Sequence, residues 1–95
     1  MANLCDNTFY AYTEDNANMQ VLKDFFNNLA ANCEISDDRI DVYFTSKWRF
    51  PKDEMDKLFE SIPNKEDIHM RCLSVEYGCL YHALWVCDKD GWEEV

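Results

Sequence analysis

The stretch Arg39-Ile40-Asp41-Val42-Tyr43-Phe44-Thr45-Ser46-Lys47-Trp48 decides how this chain is read. Ile40, Val42, Phe44, Ser46 and Trp48 fall on one side of an extended backbone. Asp41, Tyr43, Thr45, Lys47 and Arg49 fall on the other. Successive side chains of a strand point to opposite faces, so this pattern predicts a half-buried strand. Just beyond it, Pro51 stands where a helix can begin. Met55, Leu58, Phe59 and Ile62 then recur at helical spacing until Pro63-Asn64 ends the run.

Upstream of the strand, Asp37-Asp38 is a turn signal, and Asn32 to Ser36 reads as a short edge strand. Between Ala17 and Ala31, Met19, Leu22, Phe25, Phe26 and Leu29 form one apolar helical stripe. Glu14-Asp15-Asn16 offers that helix its turn and N-cap. Leu4 to Thr13, with Thr8, Phe9, Tyr10 and Tyr12, reads as a further strand. Downstream, Asp67 to Val75 and Cys79 to Cys87 read as two strands joined at Glu76-Tyr77-Gly78. The second is apolar on both faces, which predicts an interior strand or one covered on both sides. Asp88-Lys89-Asp90-Gly91 is a turn. Trp92 is expected to fold back as a lid, with the last residues frayed. The whole is an α+β domain over 1–95. The expected architecture is ferredoxin-like: an antiparallel sheet of four to five strands with two helices packed on one face.

Asp and Glu number 19 against 9 Lys and Arg, a formal net charge of −10 in 95 residues. The acids run from Asp6 to Glu94 and are mixed with 47% hydrophobic residues, unlike a disordered acidic tail. Such charge speaks of partners rather than fold, and it disfavours direct binding to nucleic acid. No run approaches the ~20 apolar residues of a membrane span, and the N-terminus lacks a signal-peptide pattern, so a cytoplasmic location is expected. Cys5, Cys33, Cys72, Cys79 and Cys87 are odd in number, which favours reduced, buried thiols. None of their spacings is that of a zinc knuckle, and no cofactor or metal is expected.

Three short motifs carry a family resemblance. Ala2-Asn3-Leu4-Cys5-Asp6-Asn7-Thr8 resembles an Asn-Trp-Cys-x-Asn opening, with Leu4 where Trp is usual. Phe44-Thr45-Ser46-Lys47-Trp48-Arg49-Phe50-Pro51 resembles a strand-to-helix junction with Trp shortly before Pro. Glu76-Tyr77-Gly78-Cys79 resembles an acidic-Gly strand connection. Together they resemble the YubB-like ferredoxin-like domain family of small phage and mobile-element proteins. The resemblance implies that fold and a mobile-element origin. It transfers no catalytic residue and implies no iron–sulfur cluster.

Catalytic readings of the residues are weak. His69 and His82 are the only histidines, expected to lie roughly cross-strand about Tyr77-Gly78. Cys72 or Cys79 with His82 would make an activated thiol, but no orienting group or oxyanion site accompanies them, and inert buried thiols are the better reading. Asp37/Asp38 and Asp53/Glu54/Asp56 lack the spacing of a metal loop. Lys47, Trp48, Arg49 and Phe50 form the only basic-aromatic cluster, and the two cations are expected to pair with acids across the sheet.

Size, charge, scaffold and resemblance lead to one functional expectation. It is a non-enzymatic, anti-CRISPR-like inhibitor of a host defence nuclease, whose carboxylates mimic phosphates in a basic channel. The candidate acids are Asp37, Asp38, Asp41, Asp53, Glu54, Asp56 and Glu60. The candidate apolar anchors are Tyr43, Tyr77 and Trp92. The alternative is a general interaction or regulatory module, homodimeric through a sheet edge.

Overall fold

The computed structural model describes residues 4–28, 32–47, 49–78 and 81–95. Leu29 of the helical stripe, Trp48 of the inner strand face and the candidate thiol Cys79 lie outside the described residues. Eight elements follow one another: β1 (Leu4–Tyr12), α1 (Asn16–Asn28), β2 (Asn32–Ile35), β3 (Arg39–Lys47), α2 (Lys52–Ser61), β4 (His69–Glu76), β5 (Tyr81–Asp88) and β6 (Gly91–Glu94). They build an α+β fold with one antiparallel sheet in the order β2-β3-β1-β4-β5-β6. β1 is paired on both edges, so Phe9 lies opposite Val42 of β3 and Cys72 of β4.

The alternation read in the sequence becomes a two-faced sheet. Phe9, Ala11, Ile40, Val42, Phe44, Met70 and Cys72 are buried beneath the helices. Met19, Leu22 and Phe26 of α1 and Met55 and Leu58 of α2 join them in one core. Phe26 is central: its ring lies 4.6 Å from Phe9 and 5.7 Å from Phe44. Both helices therefore cover the same face. Among the described residues no element covers the other face, where Tyr43 and Leu73 are exposed. No helix among the described residues is long and apolar enough to cross a membrane.

Two expectations about the C-terminal third are corrected. The sheet has six strands rather than four to five, because Gly91 to Glu94 pairs with β5 instead of fraying. Gly91 makes this possible: its φ of 103° lies in the left-handed region that favours glycine. The two-residue turn Lys89-Asp90 then returns the chain, and Trp92 lands opposite Cys87 on the core face. Trp92 is thus no lid. It is 8% exposed, and its indole N–H donates to the Met55 carbonyl at 2.9 Å, tying β6 to α2. β5 is interior to the sheet as expected, but it is not covered on both sides, since Leu84 remains exposed.

The helices are fixed by local polar contacts. Asp15 is the N-cap of α1: its Oδ1 accepts the N–H of Ala17 at 2.8 Å and of Asn18 at 3.1 Å. Hydrogen bonds from the Asn64 amide and these backbone groups hold the Asp15 carboxyl below its ordinary range. Asn18 is fully buried and binds α1 to the α2–β4 connection. Its amide nitrogen donates to the carbonyls of Asn64 and Asp67, both at 2.8 Å, and its oxygen accepts the Asn64 N–H at 2.9 Å. Removing it takes away all three of these bonds, although the Asp67 carbonyl keeps the Thr13 hydroxyl as a donor. Asn18→Ala should therefore destabilise the protein by about 1–3 kcal/mol. The exposed Asn27→Ala should stay within about 0.5 kcal/mol of the parent. Urea unfolding followed by tryptophan fluorescence distinguishes the two.

Candidate functional site

Antiparallel pairing decides which loops are neighbours. Tyr12 at the end of β1 lies opposite both Arg39 and His69, the first residues of β3 and β4. The β5–β6 turn closes at the same end, where Asp88 pairs with Gly91. Four connections therefore meet at one end of the sheet. They bring Glu14 and Asp15 after β1, Asp37 and Asp38 between β2 and β3, Glu66 and Asp67 before β4, and Asp88 and Asp90 at the β5–β6 turn. Three cations share this end: Arg39, Lys65 and Lys89. Arg39 contacts Asp38 at 3.4 Å in an exposed pair of little energetic weight. Lys65 is turned to the last carbonyls of α2, with Ile62 O at 2.9 Å, and so serves the helix dipole. The end carries a surplus of negative charge across a width of five strand spacings, about 24 Å.

Several of these carboxylates are held in place. Asp15 Oδ2 accepts the Asn64 side-chain amide at 3.0 Å, and Asp88 Oδ1 accepts the Asp90 N–H at 3.0 Å. The rim is thus a set of anchored acids on connections whose backbones are themselves bonded. The N–H of Thr13 donates to the Asp38 carbonyl at 2.9 Å, and the Thr13 hydroxyl donates to the Asp67 carbonyl.

The acids singled out from the sequence do not converge. Asp37 and Asp38 belong to this end. Asp41 stands on the uncovered sheet face, beside Glu34 and Tyr10 in the ladder. Asp53, Glu54, Asp56 and Glu60 lie on α2, on the helical side of the sheet, and Asp56 is paired with Lys52 at 2.7 Å. The acids of the β2–β3 hairpin and those of α2 therefore share no face. The anchors are separated too. Tyr43 lies on the uncovered face, its hydroxyl donating to Asp6 at 2.7 Å, a bond that raises the phenol's pKa. Tyr77 is 74% exposed at the end opposite the acids. Trp92, expected as an exposed anchor, is a core residue and is corrected as such. The missed acids, Glu14, Asp15, Glu66, Asp67, Asp88 and Asp90, are adjacent only through strand pairing. Their one linear signal is that each sits beside a turn.

The candidate thiol chemistry is not assembled among the described residues. Cys72 lies opposite Trp85 on the core face, whereas His82 lies opposite Val75 on the uncovered face. His69 and His82 share a face but stand at opposite ends of it. His69 is level with Tyr12, and His82 with Val75, which is level with Asp6. Six residues along a strand separate them by about 20 Å, so they are not cross-strand partners. Burial pushes the Cys72 and Cys87 thiols up to about 12, which keeps them protonated. Cys5 is also raised by burial. It lies in a buried polar cluster where Asn7 donates to Ser46 Oγ at 2.9 Å and accepts from Ser74 Oγ at 2.6 Å. No three His, Cys, Asp or Glu side chains converge as metal ligands would, among the described residues. The basic-aromatic cluster is dispersed as well. Phe50 is buried and stacked on Trp85, with ring centroids 4.6 Å apart. Lys47 and Arg49 make no ion pair among the described residues, contrary to the expected cross-sheet pairing.

No family model matches the chain, and neither a curated protein nor a solved structure matches it.

The thiol environment has a measurable consequence. Cys72 and Cys87 should resist a thiol reagent in the folded protein near neutral pH and react on unfolding. Their folded pKa is raised above the ordinary 9.0, so the unfolded state ionises first as pH rises. The stabilisation is complete below about pH 9 and is lost between about pH 9 and about pH 12. The urea midpoint should fall through that window, and fall less steeply in the variant Cys72→Ala, Cys87→Ala.

Proposed function

We propose that this protein is a non-enzymatic inhibitor of phage or mobile-element origin that acts on a bacterial defence nuclease, with its acidic end as the contact surface. The observation that carries the reading is the gathering of carboxylates from four connections at one end of the sheet. Eight carboxylates across about 24 Å approach the charge spacing of a single nucleic-acid strand, about one per 3.4 Å. A basic channel built for guide and target strands offers the complementary field. Long-range attraction between the two speeds encounter, and contact with neighbouring apolar atoms sets residence time.

The scaffold reading supports the same proposal. β1 and β2 run in the same direction with antiparallel β3 between them, and β4 flanks β1. We read β1 to β4 with the two helices as a ferredoxin-like split βαβ unit, to which β5 and β6 are appended. This agrees with the resemblance to the YubB-like domains of mobile elements.

The test is binding to purified, guide-loaded CRISPR effectors and other defence nucleases, with cleavage assayed in parallel. The combined variant Asp37→Asn, Asp38→Asn, Glu66→Gln, Asp88→Asn should associate with its target tenfold to a thousandfold more slowly, on the order expected for electrostatic steering. The α2 variant Asp53→Asn, Glu54→Gln, Glu60→Gln should leave binding unchanged. Absence of binding across the nucleases, or an equal loss in both variants, would sink the assignment of the acidic end.

A further inference from the structure

The uncovered face of the sheet has a composition of its own. An antiparallel sheet with one face in water ordinarily carries polar residues there. Here Leu73 is 45%, Tyr43 43% and Leu84 38% exposed. Leu73 and Leu84 are directly opposite in the β4–β5 ladder, and half-buried Val75 and Val86 extend the patch along the same two strands.

One acid and one base on this face are placed so that they do not meet within one molecule. Tyr10 of β1 lies opposite Asp41 on one side and Arg71 on the other. Two strand spacings hold that acid and that base about 10 Å apart. The Arg71 guanidinium instead lies 4.5 Å over the Tyr10 ring, and Asp41 has no ion pair among the described residues. One step along, Thr8 is flanked in the same way by Tyr43 and Leu73.

We propose that this face is the contact surface of a homodimer, packed sheet to sheet about a two-fold axis that runs along β1. In a two-fold interface, residue i meets j and j meets i. An axis along β1 exchanges the positions of β3 and β4. Asp41 of each copy then faces Arg71 of the other, and Tyr43 faces Leu73, while the small Thr8 lies on the axis. One operation therefore matches Asp41 with Arg71 and Tyr43 with Leu73, while Leu84 and Val86, two strands from the axis, face Asn32 and Glu34 of β2. Aligned sheets pack about 10 Å apart at roughly 30°, a small enough angle to keep adjacent strands in contact near the axis. Asp6 faces its own copy across the axis, and the Tyr43 hydroxyl that donates to it disperses part of that charge. β3, β1, β4 and β5, of eight or nine residues each, cover about 500 Å² at ordinary strand spacing and rise. β2 faces β5 over only four residues and β6 has no counterpart across this axis, so the contact stays near that area, below the ~800 Å² per partner of a standard interface, and leans on the two Asp41–Arg71 pairs. The dimer is independent of the nuclease reading, because the acidic end lies at the rim of this face and stays open.

Sedimentation equilibrium across micromolar concentrations tests it. The wild-type chain should be dimeric, and Leu73→Lys and Arg71→Glu should each be monomeric while retaining the parent circular dichroism spectrum. The double variant Asp41→Arg, Arg71→Glu should recover the dimer, since it restores the pair with its signs exchanged. Asp6→Asn should tighten association. The acidic-end variants should remain dimeric, so failure of nuclease binding would leave this inference standing. A wild type that is monomeric throughout, or a double variant no better associated than Arg71→Glu alone, overturns it.

Discussion

The rest of the structure depends on β1 being hydrogen-bonded along both edges. Its nine residues pair with β3 on one side and with seven positions of β4 on the other. Because side-chain direction alternates, a slip of one residue in either ladder would exchange buried Phe9 for Thr8 or Tyr10. It would expose the core side of three strands at once. The ring of Phe26 packed on Phe9 and Phe44 enforces the correct register from the helical side. Faces, ends and loop neighbours are all consequences of this double pairing.

Local pattern revealed the elements but not all of their relations. The alternation from Arg39 to Lys47 and the helical spacing of Met19, Leu22 and Phe26 were legible because burial on one face imposes a period. The caps were legible too, since Asp15 and Pro51 are suited to helix starts by their own chemistry. Trp92 was not. Four residues after a turn are too few to show a period, and whether they pair depends on a β5 edge that only tertiary structure supplies. β5 was read as interior or covered on both sides, and it is interior: apolar residues on both faces announce burial, but not whether a cover is present. The candidate site was the least legible part. Asp37 and Asp88 are 51 positions apart, and only the order of strands between them makes them occupants of one end.

The net charge of −10 is therefore neither evenly spread nor confined to the runs that stand out along the chain. Connections at the β1 C-terminal end hold much of it. The uncovered face sets Asp6, Glu34, Asp41 and Glu93 against Arg71, Arg39 and Lys47. One sheet thus separates two kinds of surface, a strongly acidic rim and a nearly balanced apolar face, within a body whose longest dimension is 40 Å.

The place of Trp92 also bears on how the molecule forms. Its ring lies 6.3 Å from Phe9 and 5.3 Å from Phe50, contacts that join residues 83 and 42 positions apart. β1 cannot complete its pairing with β4 until most of the chain is available, and the core beneath α2 stays open until the indole arrives. Closing such long loops is entropically costly before the contacts form, and folds dominated by distant contacts assemble slowly. Through Trp92, β6 acts as a latch on a core built from residues far from it along the chain.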